Sequence, residues 1–178
     1  MGFFDGKVFI DENGDFKFCS WIEWTHVPIG ITHCPVCMAL DKCWFDRLIM
    51  PKPKQHDHCH CTTKEIATPS PENCVAECDI RKFRDSIFSD KYAWNGKRDL
   101  FERLGFRNED SEFLKTEYEK QARQEYCKSN YSLGNLDERG QRINITIHFE
   151  NNGRKINFAS GWMVRPLGRI TNNTPLGD

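Results

Sequence analysis

The chain has 178 residues, a mass of 20.9 kDa and a formal net charge of −1. This length suits one compact domain or two small ones, and the near-neutral charge argues against wholesale electrostatic binding to nucleic acid or an anionic membrane. No apolar run approaches the roughly 20 residues of a membrane-spanning helix. The start lacks a signal-peptide pattern, and Gly6 stands where a myristoylation motif needs Ser or Thr. We expect an intracellular protein without a membrane partner.

Charge and cysteine are distributed unevenly along the chain. Residues 1–79 carry a net charge of −5 and residues 80–178 one of +4, and the first segment holds eight of the nine Cys and five of the six His. An odd cysteine count without a secretory signal favours metal ligation over a disulfide framework. We therefore predict two units: a β-hairpin plus Cys/His zinc-binding module over residues 1–71, and an α+β domain over residues 72–178.

Turn and periodicity signals predict the elements in chain order. Asn13-Gly14 lies between two β-prone runs and indicates an N-terminal hairpin. Later, apolar residues at helical spacing predict three helices, near residues 80–87, 97–104 and 110–128, with Gly105 ending the second.

The clearest strand signal lies near the C-terminus. Residues 143–149 alternate strictly between apolar and polar, and a type I′ turn at Asn152-Gly153 leads into a second strand. That turn fixes a register in which Glu150 pairs with Lys155 and the polar residues of the two strands share one face. With a third strand from RITNNTPLGD, helices followed by an antiparallel meander define an α+β module.

The sharpest chemical signal is a set of closely spaced cysteines and histidines. HCPVC places Cys34 and Cys37 in a C-x-x-C pair, and HDHCHC places Cys59 and Cys61 in a C-x-C pair further along. Two ligand pairs brought together across a loop are typical of tetrahedral structural zinc. We predict zinc at these four cysteines, with His56 and His58 as alternative ligands.

Two alternatives to structural zinc stay open. In the first, the thiols bind no metal and are either redox-active or simply buried. In the second, the metal is catalytic, which requires an open coordination position and a nearby carboxylate base. Cys74 and Cys78 are spaced for a second site if that stretch is helical; otherwise they are packing residues. Cys19, Cys43 and Cys127 are expected to be small core or surface residues.

The cysteine segments resemble a known family. CPVCMALDKCWF and MPKPKQHDHCHCTT are similar to the C-terminal end of Mu-F-like phage minor head (head morphogenesis) proteins, where C-P-x-C-x-x-L-D-G precedes a Pro-rich loop and H-P-x-C-x-C. The similarity covers about 30 residues, and Lys42 stands where the family usually has Gly, Asp57 where it has Pro and His60 where it has Arg. The long helical body of those proteins is absent. The matching residues are Cys34, Cys37, Leu40, Asp41, His56, Cys59 and Cys61.

The rest of the chain, from about Asp79, resembles a small uncharacterised domain of phage and bacterial proteins. The resemblance rests on KFRDSIFSDKYAWNGKRDLFERLGF, on GWMV and on ITNNTPLG. Such layouts have been likened to the barnase–EndoU–colicin–RelE class of ribonuclease folds. That likeness concerns topology and implies no catalytic motif.

A ribonuclease would need an acid, a base and cations for the phosphate. His148 lies on the polar strand face and is the candidate acid or base, with Arg165 supplying charge and Thr174 a hydroxyl. The alternative is a solvated surface histidine. Residues expected to contact nucleic acid are Lys91, Trp94, Lys97 and Arg142, with Trp94 stacking on a base.

Three functions follow from these patterns. The first is a phage- or prophage-encoded zinc-binding accessory protein that binds a host or phage protein, or RNA or DNA. The second is an effector ribonuclease built on the C-terminal domain. The third is a minor head-associated virion component. We expect the protein in the cytoplasm of the host cell, or in the virion for the third function.

Overall fold

The alternating segment near the C-terminus forms the longest strand pair in the described part of the chain. In the computed structural model, β8 (Gly140–Asn151) pairs antiparallel with β9 (Arg154–Arg165). Glu150 lies opposite Lys155, which confirms the predicted register. The residues that the structure describes are 8–10, 16–18, 20–28, 34–52, 60–151 and 153–176, with the backbone alone at 8–10, 16–18 and 93–95.

This pair is the centre of a five-stranded mixed sheet. The spatial order is β6-β10-β9-β8-β7, with β7 to β10 successive antiparallel neighbours and β6 parallel to β10 at one edge. RITNNT forms the predicted third strand, whereas the short parallel edge strand was not predicted. The remaining strands are β6 (Val75–Glu77), β7 (Ser132–Asp137) and β10 (Arg169–Thr174).

Helices pack on one face of this sheet, which makes the fold α+β. Two of the three predicted helices are α-helices, and Gly105 adopts the left-handed φ of 87° expected just after the second predicted helix. The first predicted helix is instead a π-helical turn, because Phe88 N–H bonds to Phe83 C=O, five residues back. The helices are α2 (Lys97–Arg103), α3 (Ser111–Cys127), the π-helical turn (Lys82–Ile87), and two 3-10 turns (Asp90–Asn95, Asn108–Asp110).

The core between α3 and the sheet follows from two sequence periods. Every second residue of β8 from Ile143 to Phe149 is buried, and α3 buries residues four apart from Leu114 to Tyr126. Phe101 of α2 stacks on Phe158 of β9 with ring centroids 4.8 Å apart. Trp162 lies opposite Ile143 and is fully buried.

A smaller sheet lies toward the N-terminus. Its order is β4-β3-β5, and both pairings are antiparallel. The predicted N-terminal hairpin is confirmed as a separate strand pair, although its Asn13-Gly14 turn lies outside the described residues. The elements are β1 (Val8–Ile10), β2 (Phe16–Phe18), β3 (Trp21–Thr25), α1 (Pro35–Ala39), β4 (Trp44–Asp46), a 3-10 turn (Arg47–Ile49) and β5 (Thr62–Ile66).

The small sheet packs against the end of α3. The rings of Trp21 on β3 and Tyr126 are arranged edge to face, with their centroids 5.3 Å apart. The Tyr126 hydroxyl donates to the carbonyl oxygen of Trp44. The Trp44 ring also lies over Gly168, where a Cβ atom would come within 2.6 Å of it. Residues from both sides of the predicted boundary at residue 71 therefore share one hydrophobic core.

None of the helices in the described part of the chain is long and apolar enough to cross a membrane.

Candidate functional site

The candidate metal site lies at one end of the three-stranded sheet. Thr25, the last residue of β3, pairs with Thr62, the first of β5, and Glu23 pairs with Trp44, the first of β4. Strand pairing therefore brings three chain segments to the same end: the residues after β3, those before β4 and those before β5. The predicted ligands all fall in the second and third of these segments.

The first of the three segments contributes a histidine that the sequence interpretation did not include. His26 follows β3 directly, and its Nδ1 atom lies 3.7 Å from the Sγ atom of Cys61. Zinc bonds of 2.3 Å to sulfur and about 2.05 Å to nitrogen, at a tetrahedral angle, separate the two ligand atoms by about 3.6 Å. The His26–Cys61 pair therefore has the separation of two ligands on one zinc ion.

The C-x-x-C pair lies on a tight turn in the segment before β4. Cys34 precedes α1, and its carbonyl oxygen accepts from Met38 N–H, while the carbonyl oxygen of Cys37 accepts from Leu40 N–H. Pro35 takes the first helical position, where its missing N–H costs nothing. Cys37 is 1 % exposed and Cys34 is half-buried, so one thiol points inward and the other lies near the surface.

Backbone contacts connect this turn to His26. The His26 N–H donates to Oδ1 of Asp41 at 2.9 Å, just after the helical turn. Lys42 N–H then donates to the carbonyl oxygen of Trp24 at 2.8 Å. Lys42 has a φ of 60°, in the left-handed region that favours glycine.

Only part of the predicted ligand set is within the described residues. Cys34, Cys37 and Cys61 are described, whereas Cys59, His56 and His58 lie outside the described residues. Among the residues that are described, no group of three or more His, Cys, Asp or Glu side chains is close enough to hold a metal ion. His26 could have been found from the sequence only by predicting that β3 pairs with β5, which places it beside Cys61.

The stretch between Cys74 and Cys78 is a strand, so the helical arrangement considered for a second metal site is not the one observed. Both thiols are buried, as are Cys43 and Cys127, so of the core and surface positions expected for Cys43 and Cys127 the structure has the core position. Burial raises the pKa of Cys78 to about 12, with the nearby Glu119 carboxylate adding to the effect. Cys19 lies outside the described residues.

His148 lies on the exposed face of the five-stranded sheet. Its Nδ1 atom is 2.8 Å from Oδ1 of Asn157, so a hydrogen bond to Asn157 holds the imidazole ring. The Gln121 side chain bonds to both the N–H and the C=O of His148. Since β7 reaches only to Asn144 along β8, this amide takes the place of a neighbouring strand.

The structure does not bring the other proposed catalytic residues to His148. Arg165 is eight residues along β9 from Asn157, about 27 Å at the usual rise per residue. It donates to Oγ1 of Thr171 and to the carbonyl oxygen of Arg139. Thr174 pairs with Gly161, and its hydroxyl donates to the carbonyl oxygen of Leu176.

The predicted nucleic-acid contacts have structural partners of their own. Lys97 Nζ donates to the carbonyl oxygen of Leu176 at 3.0 Å, and Arg142 forms an ion pair with Asp137 at 3.8 Å. Lys91 Nζ lies 5.3 Å from the ring centre of its neighbour Tyr92. The side chain of Trp94 lies outside the described residues.

Comparison with known proteins gives no identity for the chain: no family model, no curated protein and no solved structure matches it.

Proposed function

We propose that this chain is a zinc-binding accessory protein, encoded by a phage or prophage, that acts by binding a host protein or nucleic acid. The zinc would be structural and would hold the loop end of the three-stranded sheet, with ligands drawn from Cys34, Cys37, Cys59, Cys61 and His26, and with His56 and His58 as alternatives. The observation that carries the proposal is the 3.7 Å separation of His26 Nδ1 and Cys61 Sγ.

Three features of the chain support a metal at this place. Strand pairing gathers the C-x-x-C turn, Cys61 and His26 at one sheet end. The donor set is thiolate and imidazole, which zinc prefers. The left-handed backbone at Lys42 fits the Gly of the resembling phage segment. A structural zinc contributes no reaction step, and the chain's own residues would bind the partner.

The first experiment measures metal in the purified full-length protein by elemental analysis, for wild type and two matched pairs of variants. We expect one zinc per chain in wild type, and loss of it in Cys61→Ser but not in Cys43→Ser. Cys43→Ser is the matched control, because Cys43 Sγ donates to the carbonyl oxygen of Ala39 and a serine hydroxyl can donate to the same oxygen. Metal-free wild type whose melting does not change with chelator would contradict the proposal.

The second pair tests the histidine. His26→Ala should weaken zinc binding at least 10-fold, because a direct ligand is lost. His60→Ala, an exposed histidine next to Cys61, should leave the affinity unchanged. Equal affinities in the two variants would exclude His26 as a ligand. The absorption of bound Co²⁺ would then report whether the site has four sulfur ligands instead.

A ribonuclease remains the second candidate because His148 is exposed and its ring is held by a hydrogen bond to Asn157. Against it stands the distance of Arg165 along β9. The experiment incubates metal-replete protein with labelled RNA and DNA and scores retention and cleavage separately. Cuts that vanish in His148→Ala would favour the enzyme, and retention without cuts would favour the binding protein. Co-purification with capsids would point to a minor head component.

A further inference from the structure

Two buried thiols outside the candidate metal site face each other. Cys74 directly precedes the edge strand β6, and Cys127 is the last residue of α3. Their Sγ atoms are 3.1 Å apart. Cys74 is 3 % exposed and Cys127 7 % exposed, so the contact lies inside the protein.

The distance between these sulfur atoms argues against a shared metal ion. Two thiolates on one tetrahedral zinc are separated by about 3.8 Å, given zinc–sulfur bonds of 2.3 Å. The observed 3.1 Å is well below that value. A disulfide bond is about 2.05 Å long, so the pair needs to close by about 1 Å to become one. Among the described residues there is also no third ligand that would complete a metal site.

The surroundings make the two thiols chemically unequal. The S–H group of Cys127 donates to Cys74 Sγ, which lowers the pKa of Cys74 and raises that of Cys127. The guanidinium of Arg123 favours the thiolate at both positions, and its Nε atom is buried without a hydrogen-bond partner in the described part of the chain. Cys78, four residues from Cys74, has its pKa raised to about 12 instead.

We propose that Cys74 and Cys127 are an oxidation site at which peroxide closes an intramolecular disulfide. The Cys74 thiolate attacks one oxygen of hydrogen peroxide and breaks the O–O bond. With one proton from solvent this gives a sulfenic acid at Cys74 and one water. Cys127 then attacks the Cys74 sulfur, forming the S–S bond, and the hydroxyl leaves with the Cys127 proton as a second water. Two thiols are oxidised and one peroxide is reduced to two waters.

The position of the bond suggests what it would do. It would tie the short parallel edge strand β6 to the end of α3 and close a loop that contains the π-helical turn, α2 and α3. Hydrogen peroxide suits this buried pair because it is little larger than water. A dithiol reductant would reverse the reaction once the site opens.

The test treats the full-length protein with hydrogen peroxide, alkylates the remaining thiols and maps peptides by mass spectrometry. We expect a peptide pair joined between Cys74 and Cys127. The oxidised protein should melt roughly 10 °C higher than the reduced one, since the bond restricts a long loop of the unfolded chain. A dithiol should remove both the joined peptide and the shift.

Matched variants separate this bond from other oxidation. Cys127→Ala should lose the peroxide-dependent rise in melting temperature, whereas Cys78→Ala should retain it, since both cysteines of the proposed bond are still present. Cys78 is a matched control because it is as buried as Cys74 and lies on the same segment. The peptide map of wild type needs no variant and decides the matter if Cys127→Ala fails to fold. Stable sulfinic acid at Cys74, or a joined pair involving other cysteines, would overturn the proposal.

Discussion

The two sheets of this protein are stabilised in different ways. In the five-stranded sheet, β8 and β9 are paired over ten residue positions, and an α-helix of 17 residues covers one face. In the three-stranded sheet, β4 has three residues, and the first three residues of β5 are exposed. The larger sheet is covered by α2 and α3. The smaller sheet packs against the end of α3.

Because of this difference, a bound metal would stabilise the three-stranded sheet more than the five-stranded one. One end of the small sheet is fixed by Trp21, Tyr126 and their contacts. The other end has short strands and carries Cys61, His26 and the C-x-x-C turn. Zinc ligation at this end would add folding free energy directly, beside the buried side chains of Trp24, Leu40 and Cys43. We therefore expect the two sheets to respond differently to loss of metal.

The largest effect should come from removing the proposed zinc ion with a chelator. Apparent zinc-binding free energies in small structural sites reach about 10–16 kcal/mol, so amide protection in β3 and β5 should fall by more than 100-fold. Protection in β8 and β9 should fall less, because α2 and α3 still cover that sheet. Hydrogen exchange measured by mass spectrometry on the full chain checks this. Equal loss in both sheets would contradict the comparison.

Truncating a large side chain that packs on the five-stranded sheet should destabilise that sheet and leave the proposed zinc bound. Phe101 is fully buried and stacks on Phe158, so Phe101→Ala should lower the free energy of unfolding by about 3–5 kcal/mol. Phe113→Ala is the control, since Phe113 is 52 % exposed and should cost less than about 1 kcal/mol. Denaturant unfolding measures both. Loss of bound zinc in Phe101→Ala would show that the two sheets do not respond separately.

The sequence allowed good predictions where the pattern was local. Strict alternation and an Asn-Gly turn determine the register of β8 and β9, because the turn length leaves no freedom to slide. The short parallel strand β6 gave no such signal, since its pairing with β10 joins residues far apart in the chain. The π-helical turn was expected as an α-helix because Phe83 and Ile87 are buried in both cases.

The candidate site was predictable to a similar degree. Cysteine spacing marks the C-x-x-C turn and Cys61 as candidate ligands, since closely spaced cysteines are a local pattern. His26 reaches Cys61 only through the pairing of β3 with β5, and Cys127 reaches Cys74 across 53 positions. Neither contact leaves a mark in the sequence near the residue concerned.

A smaller effect should come from the Tyr126 hydroxyl, which joins α3 to the three-stranded sheet. Tyr126→Phe removes the donor to the Trp44 carbonyl and should cost about 0.5–1.5 kcal/mol, because a partly buried acceptor loses its partner. Tyr118→Phe is a matched control, since Tyr118 is equally buried and its hydroxyl donates to the carbonyl of Pro175. Both should be destabilised, but hydrogen exchange should rise in β4 only for Tyr126→Phe. Faster exchange there in both variants would contradict this.

The smallest predicted effect concerns Glu125 on α3, in the larger of the two regions. Burial disfavours its charge, but hydrogen bonds from Asn130 and Lys128, with the nearby charge of His148, lower its pKa. The ionised carboxylate therefore stabilises the fold above its unfolded pKa of about 4.3, and this stability is lost as pH falls through the lower folded value. Glu125→Gln should lower the melting temperature slightly at pH 7 and not at all at strongly acidic pH. Thermal melts of both proteins across this range provide the measurement. A difference that persists at low pH would mean that the side chain acts through packing and not through its charge, so this part of the larger region would depend, like its core, on burial.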